Sequence, residues 1–92
     1  MGSNEGDEIF GQAGADSILG GDTADFIQGN TGNDTLLGGL GNDTLRGGKE
    51  DDQLFGEDGD DLLYGDDGAD SIFGSLGNDS LYGGTGADRL VS

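Results

Sequence analysis

Aspartate returns at every ninth residue of this chain: Asp7, Asp16, Asp25, Asp34, Asp43, Asp52, Asp61, Asp70, Asp79 and Asp88. Carboxylates in a common phase suit two kinds of chemistry. A single close pair can serve as an acid/base dyad, whereas a row that recurs at every step is what a structural cation site requires. Recurrence favours the row. The chain has no histidine and no cysteine, so the usual ligands of zinc, copper and haem iron are missing and oxygen ligands for hard cations remain. Nucleophilic catalysis fares worse, because the sole lysine, Lys49, lies beside Glu50 and Asp51. No enzyme is expected.

Two more columns keep the same beat. Glycine opens ten consecutive nonapeptides, at Gly2, Gly11, Gly20, Gly29, Gly38, Gly47, Gly56, Gly65, Gly74 and Gly83, and the last unit ends at Val91. Position eight is Ile or Leu throughout: Ile9, Ile18, Ile27, Leu36, Leu45, Leu54, Leu63, Ile72, Leu81 and Leu90. Position four is glycine except at Glu5, Thr23 and Glu50. A biased Gly/Asp composition would scatter these residues over all nine phases, so unbroken columns mark a true repeat, a single domain over residues 2–91.

Positioning the aspartates then falls to strand and turn. Positions seven to nine, such as Thr44-Leu45-Arg46, read as a short strand with its middle residue facing one way and its flanks the other. Positions one to six read as a turn, with glycine where the backbone needs freedom. Two units complete an 18-residue circuit. The expected fold is all-β, with about five coils stacked about 4.8 Å apart as two facing parallel sheets. The Ile/Leu column fills the space between them.

That stack has an electrostatic problem. Asp7, Asp25, Asp43, Asp61 and Asp79 would line one edge, and Asp16, Asp34, Asp52, Asp70 and Asp88 the other. Twenty acidic residues face three basic ones, a formal charge of −17, and 22 glycines add entropic cost to folding. Like charges at coil spacing repel, so something positive must sit between them. Without it the composition is that of a disordered acidic chain. Nucleic acid is excluded as a partner, since phosphate binding needs more base than Arg46, Lys49 and Arg89 supply. Apolar runs of two or three residues cannot span a membrane. The residues after Met1 are polar and acidic, unlike a signal peptide. Gly47-Gly48-Lys49-Glu50 lacks the hydroxyl residue and spacing of a phosphate loop, and no window fits an EF-hand.

The units resemble the RTX repeat, G-G-x-G-x-D-x-U-x with U a large apolar residue, of secreted bacterial toxins, proteases, lipases and adhesins. Gly38-Gly39-Leu40-Gly41-Asn42-Asp43-Thr44-Leu45-Arg46 matches at every fixed position, as does the unit from Gly83 to Val91. The resemblance implies a right-handed parallel β-roll with Ca²⁺ between successive turns on each edge. Each ion would take two aspartate side chains and backbone carbonyls from positions one to four of neighbouring turns. On one edge this implies Gly39, Gly41 and Asp43 with Gly56, Asp58 and Asp61, and then Glu57, Gly59 and Asp61 with Gly74, Leu76 and Asp79. On the other it implies Gln12, Gly14 and Asp16 with Gly29, Thr31 and Asp34, and Asp66, Gly68 and Asp70 with Gly83, Thr85 and Asp88.

Six oxygens on flexible turns suit calcium better than magnesium, which wants a tighter octahedron. Five turns per edge leave four gaps, a ceiling of about eight ions, whose charge of roughly +16 nearly cancels −17. Glu5 and Thr23 mark the gap between Asp7 and Asp25 as the weakest, followed by the two around Asp52, where Glu50 intrudes. The resemblance also implies a biology: a module of an extracellular protein, exported unfolded through a type I channel and folded by calcium outside. Rival readings are a calcium-dependent carbohydrate-binding, adhesin or ice-binding repeat. Basic residues for an acidic glycan are scarce, however. Ice would need a regular Thr/Asx row, whereas positions three to five vary: Thr31-Gly32-Asn33, Lys49-Glu50-Asp51, Asp67-Gly68-Ala69.

Position nine carries a further pattern. In alternate units it reads Leu19, Leu37, Phe55, Phe73 and Val91, and in the others Phe10, Gln28, Arg46, Tyr64 and Tyr82. Strand alternation points both rows outward. The apolar row reads either as ordinary strand preference for bulky residues or as a stripe that packs on a neighbouring domain or a second copy.

Overall fold

Each nonapeptide contributes one strand, because its apolar eighth residue is flanked by β-tolerant side chains and the next unit opens on a glycine. The computed structural model describes residues 8–91, so the expectations for Glu5 and Asp7 lie outside the described residues. Ten strands follow in order: β1 (Glu8–Phe10), β2 (Ser17–Gly21), β3 (Phe26–Gln28), β4 (Thr35–Gly39), β5 (Thr44–Arg46), β6 (Gln53–Phe55), β7 (Leu62–Tyr64), β8 (Ser71–Phe73), β9 (Ser80–Tyr82) and β10 (Arg89–Val91). They form two parallel sheets, β1-β3-β5-β7-β9 and β10-β8-β6-β4-β2. No helix occurs among the described residues, and therefore none long and apolar enough to cross a membrane.

The register is the 18-residue step. Ile27 pairs with Ile9 and Leu45, and Leu63 with Leu45 and Leu81. In the opposite sheet Ile18, Leu36, Leu54, Ile72 and Leu90 align in the same way. Any slip of one residue would turn this column outward, so the hydrophobic pattern fixes the pairing. The fold is thus a β-solenoid of about five coils, a parallel β-roll.

The core is one side chain thick. Ile27, Leu36, Leu45, Leu54, Leu63 and Ile72 are completely buried, and Ile18 nearly so. Ile9 and Leu81 are only partly buried against them, and Leu90 is 44% exposed. The Ile/Leu column therefore does not fill the interior along its whole length. Leu90 belongs to β10, which among the described residues pairs with β8 alone. As expected, the flanking seventh and ninth positions lie outside, giving the buried-centre pattern of β3, β7 and β8.

Candidate metal centre

The turns carry the acids inward. Asp34, Asp43, Asp52 and Asp70 are 1% exposed, and Asp25 and Asp61 are also buried. Two backbone groups of each inner aspartate are tied to neighbouring coils. Its carbonyl accepts the position-seven N–H one coil on, as from Gln53 to Asp34 at 2.8 Å and from Leu62 to Asp43 at 2.8 Å. Its N–H donates to the Oδ1 of the next aspartate along the edge. On one edge this runs Asp16 to Asp34 to Asp52 to Asp70 to Asp88, at 2.7–2.8 Å. On the other it runs Asp25 to Asp43 to Asp61 to Asp79, over the same distances. One oxygen of Asp34, Asp43, Asp52, Asp61, Asp70, Asp79 and Asp88 is therefore structural, a role the sequence reading did not foresee.

The second oxygen is left over. Oδ2 of Asp16, Asp34, Asp43, Asp52, Asp61, Asp70 and Asp79 is buried with no hydrogen-bond partner. A buried anionic oxygen with nothing to accept from is costly unless a cation or a proton reaches it. Position-one glycine makes room for it. A methyl group on Gly38 would stand 2.6 Å from Asp43 Oδ2 and 2.9 Å from the Gly56 carbonyl oxygen. The same construction at Gly65 meets Asp70 Oδ2 at 2.5 Å and the Gly83 oxygen at 2.8 Å, and at Gly11 it meets Asp16 Oδ2 at 2.9 Å and the Gly29 oxygen at 3.1 Å. In three of the four expected ligand sets, the aspartate and the position-one carbonyl of the next coil thus face a common space.

The remaining expected residues stack coil on coil. Position two has positive φ at Gln12, Gly39, Glu57 and Asp66, and position four at Gly14, Gly41, Gly59 and Gly68. The carbonyls of Gln12 and Asp66 each accept one N–H, from Thr31 at 3.1 Å and Thr85 at 2.9 Å, which leaves a lone pair on each. Backbone crowding at Gly59 by Gly41, and at Gly77 by Gly59, brings the position-four carbonyls into line as well. Gly74, Leu76 and Asp79 lie one coil beyond Glu57, Gly59 and Asp61, with the Asp61 N–H donating to Asp79 Oδ1. Asp58 lines the same surface groove as Gly39. Among the described residues no three acidic side chains converge, so side chains alone form no cage. Paired carboxylate oxygens with carbonyl neighbours match the oxygen-rich, irregular coordination calcium accepts.

Two departures from the glycine column behave differently. Glu50 takes a positive φ of 73° like the glycines it replaces, its carbonyl faces Gly68, and its Oε1 accepts the Gly32 N–H at 3.1 Å. Thr23 does not enter that region, and its hydroxyl is buried without a partner. A side chain on Gly41 would therefore meet Thr23 C at 2.8 Å and Ala24 N at 3.0 Å, rather than a carbonyl oxygen first. Outside the acid rows runs a second ladder that the sequence reading missed. Oδ1 of Asn33, Asp51, Asn42 and Asp60 each accepts the position-five N–H one coil on, at 2.8–3.0 Å. The recurrence of Asn or Asp at position five was the available signal.

Burial pushes the inner acids up. Asp43 and Asp52 rise to about 7, and Asp61 and Asp70 to about 6, first because burial disfavours the charge and then because neighbouring aspartates repel it. The backbone N–H on Oδ1 opposes this without overcoming it. Asp34 moves in the same direction for the same reasons. The sign follows from linkage. Acids with folded values above the ordinary 3.8 make the metal-free coil more stable as pH falls, and that gain is lost as pH rises through about 6–7. In calcium-free buffer, far-ultraviolet circular dichroism is expected to show more β-structure at about pH 5 than at about pH 8, the reverse of ordinary acid denaturation. A flat or opposite response would contradict it.

A parallel solenoid edged by rows of buried, half-bonded aspartates defines the class of calcium-binding β-rolls. The family model described as "RTX calcium-binding nonapeptide repeat (4 copies)" matches residues 1–36, 37–72 and 64–92, and the chain belongs to this family. The protein is a calcium-binding repeat module, and its family is a structural one rather than an enzyme family. Comparisons with curated proteins and with solved structures return no match.

Proposed function

We infer that residues 2–91 act as a calcium-operated folding module: disordered when calcium is scarce, and a rigid roll once ions fill the gaps between turns. The observation that carries this is the run of buried Oδ2 atoms without partners, repeated coil after coil along both edges. Each ion bridges two aspartates of neighbouring coils and is completed by position-one to position-four carbonyls. Asp16, Gln12 and Gly14 act with Asp34, Gly29 and Thr31, and Asp70, Asp66 and Gly68 with Asp88, Gly83 and Thr85. On the other edge Asp43, Gly39 and Gly41 act with Asp61, Gly56 and Asp58, and Asp61, Glu57 and Gly59 with Asp79, Gly74 and Leu76. The ceiling is about eight ions. The gap between Asp7 and Asp25, where Glu5 and Thr23 replace glycine, is the weakest on its edge.

Such a switch suits a protein that leaves a low-calcium cytosol unfolded and folds outside the cell, as the RTX family resemblance supports. Binding then stabilises the folded state by mass action, because only the coil offers the paired oxygens. The test is a calcium titration followed by circular dichroism and calorimetry. A cooperative gain of β-structure, several ions bound per chain and full reversal by chelator are expected. Undiminished β-structure in excess chelator at neutral pH would sink this reading.

A further inference from the structure

A groove of about 640 Å³ crosses the stacked turns of one edge, lined by their second and third residues and by Leu19. Its third-position column alternates: Asp22, Leu40, Asp58, Leu76. All four side chains are exposed, Leu40 at 48% and Leu76 at 69%, unusual for leucines in turns otherwise rich in acid and glycine. At the second position Gly21 and Gly39 put no side chain into the groove, and one coil further on Glu57 adds a third acid.

Every charged residue of this lining is therefore an acid, and the chain cannot answer them. It holds three basic residues, and among the described residues the one ion pair joins Arg46 to Asp66, away from the groove. Ions in the gaps between turns do not answer them either, because those ions take the buried aspartates and the backbone carbonyls of Glu57 and Asp58. Filling the gaps cancels the inner acid rows and leaves the groove carboxylates charged. Leucines spaced between carboxylates select a partner that is apolar and basic at once. Spacing selects its shape. Coils step by about 4.8 Å, and a helix laid along the column advances about 5.4 Å per turn, so it drifts about 2 Å over three steps. Same-face residues of an extended strand step about 6.6 Å and drift about 5 Å, which breaks the match.

We propose that this groove docks a basic amphipathic helix of a partner protein once calcium has folded the chain. Lys or Arg residues two helical turns apart, at i and i+7, pair with Asp22 and Asp58. Apolar residues on the alternate turns cover Leu40 and Leu76, the helix-in-groove mode of recognition. Long basic side chains absorb the remaining drift, since their stems lie along the leucines while their charged ends reach the carboxylates. The inference rests on the calcium-folding reading, because only stacked turns bring this column together.

The probe is a fluorescent Leu/Lys amphipathic peptide about 14 residues long, about four helical turns, titrated with the full chain in saturating calcium at about 0.15 M salt. Anisotropy reports binding, and circular dichroism on the same samples reports the fold. Saturable one-to-one binding is expected, at least about tenfold tighter than for a Ser/Lys peptide of equal charge or a Leu/Glu peptide. Asp22→Lys and Leu19→Ser/Leu40→Ser change side chains outside the named ion ligands. Each is expected to weaken binding at least about tenfold with the calcium-induced fold intact. Asp67→Lys makes the same charge change on the opposite edge and leaves binding nearly unchanged. A folded chain that does not take up the Leu/Lys peptide overturns the proposal. Equal losses in Asp22→Lys and Asp67→Lys do the same, since attraction is then to bulk charge. So does a Ser/Lys peptide that binds as tightly, or binding undiminished in chelator. A chain that calcium fails to fold removes the underlying reading as well.

Discussion

Asp52→Asn is expected to change stability in opposite directions with and without calcium. Asp52 is the middle acid of its edge, bonded through its N–H to Asp70 Oδ1 and through its own Oδ1 to the Asp34 N–H. Asparagine keeps an Oδ1 acceptor and nearly the same shape, so the ladder bond survives. What goes is the charge on the unpartnered, buried Oδ2. Two neighbouring gaps lose a ligand charge, and the calcium midpoint should rise roughly 10–100-fold, the range for disturbing groups that hold a metal site together. In chelator the same change helps, because burial already pushes the Asp52 carboxyl to about 7 and the neutral amide escapes that cost. A trimethylamine oxide titration in chelator should then reach the β-rich state at lower osmolyte than wild type. Destabilisation of equal size in both conditions would show that Asp52 supports the coil without metal.

Gly59→Ala should be among the most damaging single changes in the protein. Gly59 has φ +103°, and a methyl there would collide with the Gly41 carbonyl, standing 2.7 Å from Gly41 C and 3.1 Å from Asn42 Oδ1. Both obstacles belong to the coil beneath, and the first is backbone, so relief means separating two coils at a calcium gap. Gly14→Ala isolates the conformational part. Gly14 has φ +99° but nothing within 4 Å of the added methyl, since its turn is the first described on that edge. Strain alone should cost Gly14→Ala about 1–2 kcal/mol. Gly59→Ala should lose at least about 3 kcal/mol once overpacking is added. Denaturant unfolding in saturating calcium measures both, and equal losses would remove the coil-stacking argument.

The coil was legible because its signals repeat. One Ile or Leu per nine residues dictates one inward side chain per strand, and an 18-residue register is the only one that stacks Ile18 on Leu36 and Leu36 on Leu54. The two acid edges follow from the same count. Less legible was the division of labour within each carboxylate, since spacing cannot say that Oδ1 would be taken by a backbone N–H and Oδ2 left bare. Glu50 and Thr23 look alike as departures from glycine, yet only Glu50 adopts the glycine-like turn. That difference lies in backbone dihedrals, where the β-branched Thr23 resists a positive φ more than an unbranched glutamate does.

The decisive measurement is amide hydrogen exchange at Asp34, Asp43, Asp52 and Asp61, whose N–H groups close the ladder from one turn to the next. If divalent ions are what hold adjacent turns together, these amides exchange slowly in saturating calcium and at nearly unprotected rates in chelator at neutral pH. Protection that persists undiminished after the metal is stripped would mean the turns cohere by themselves, and the account would be wrong.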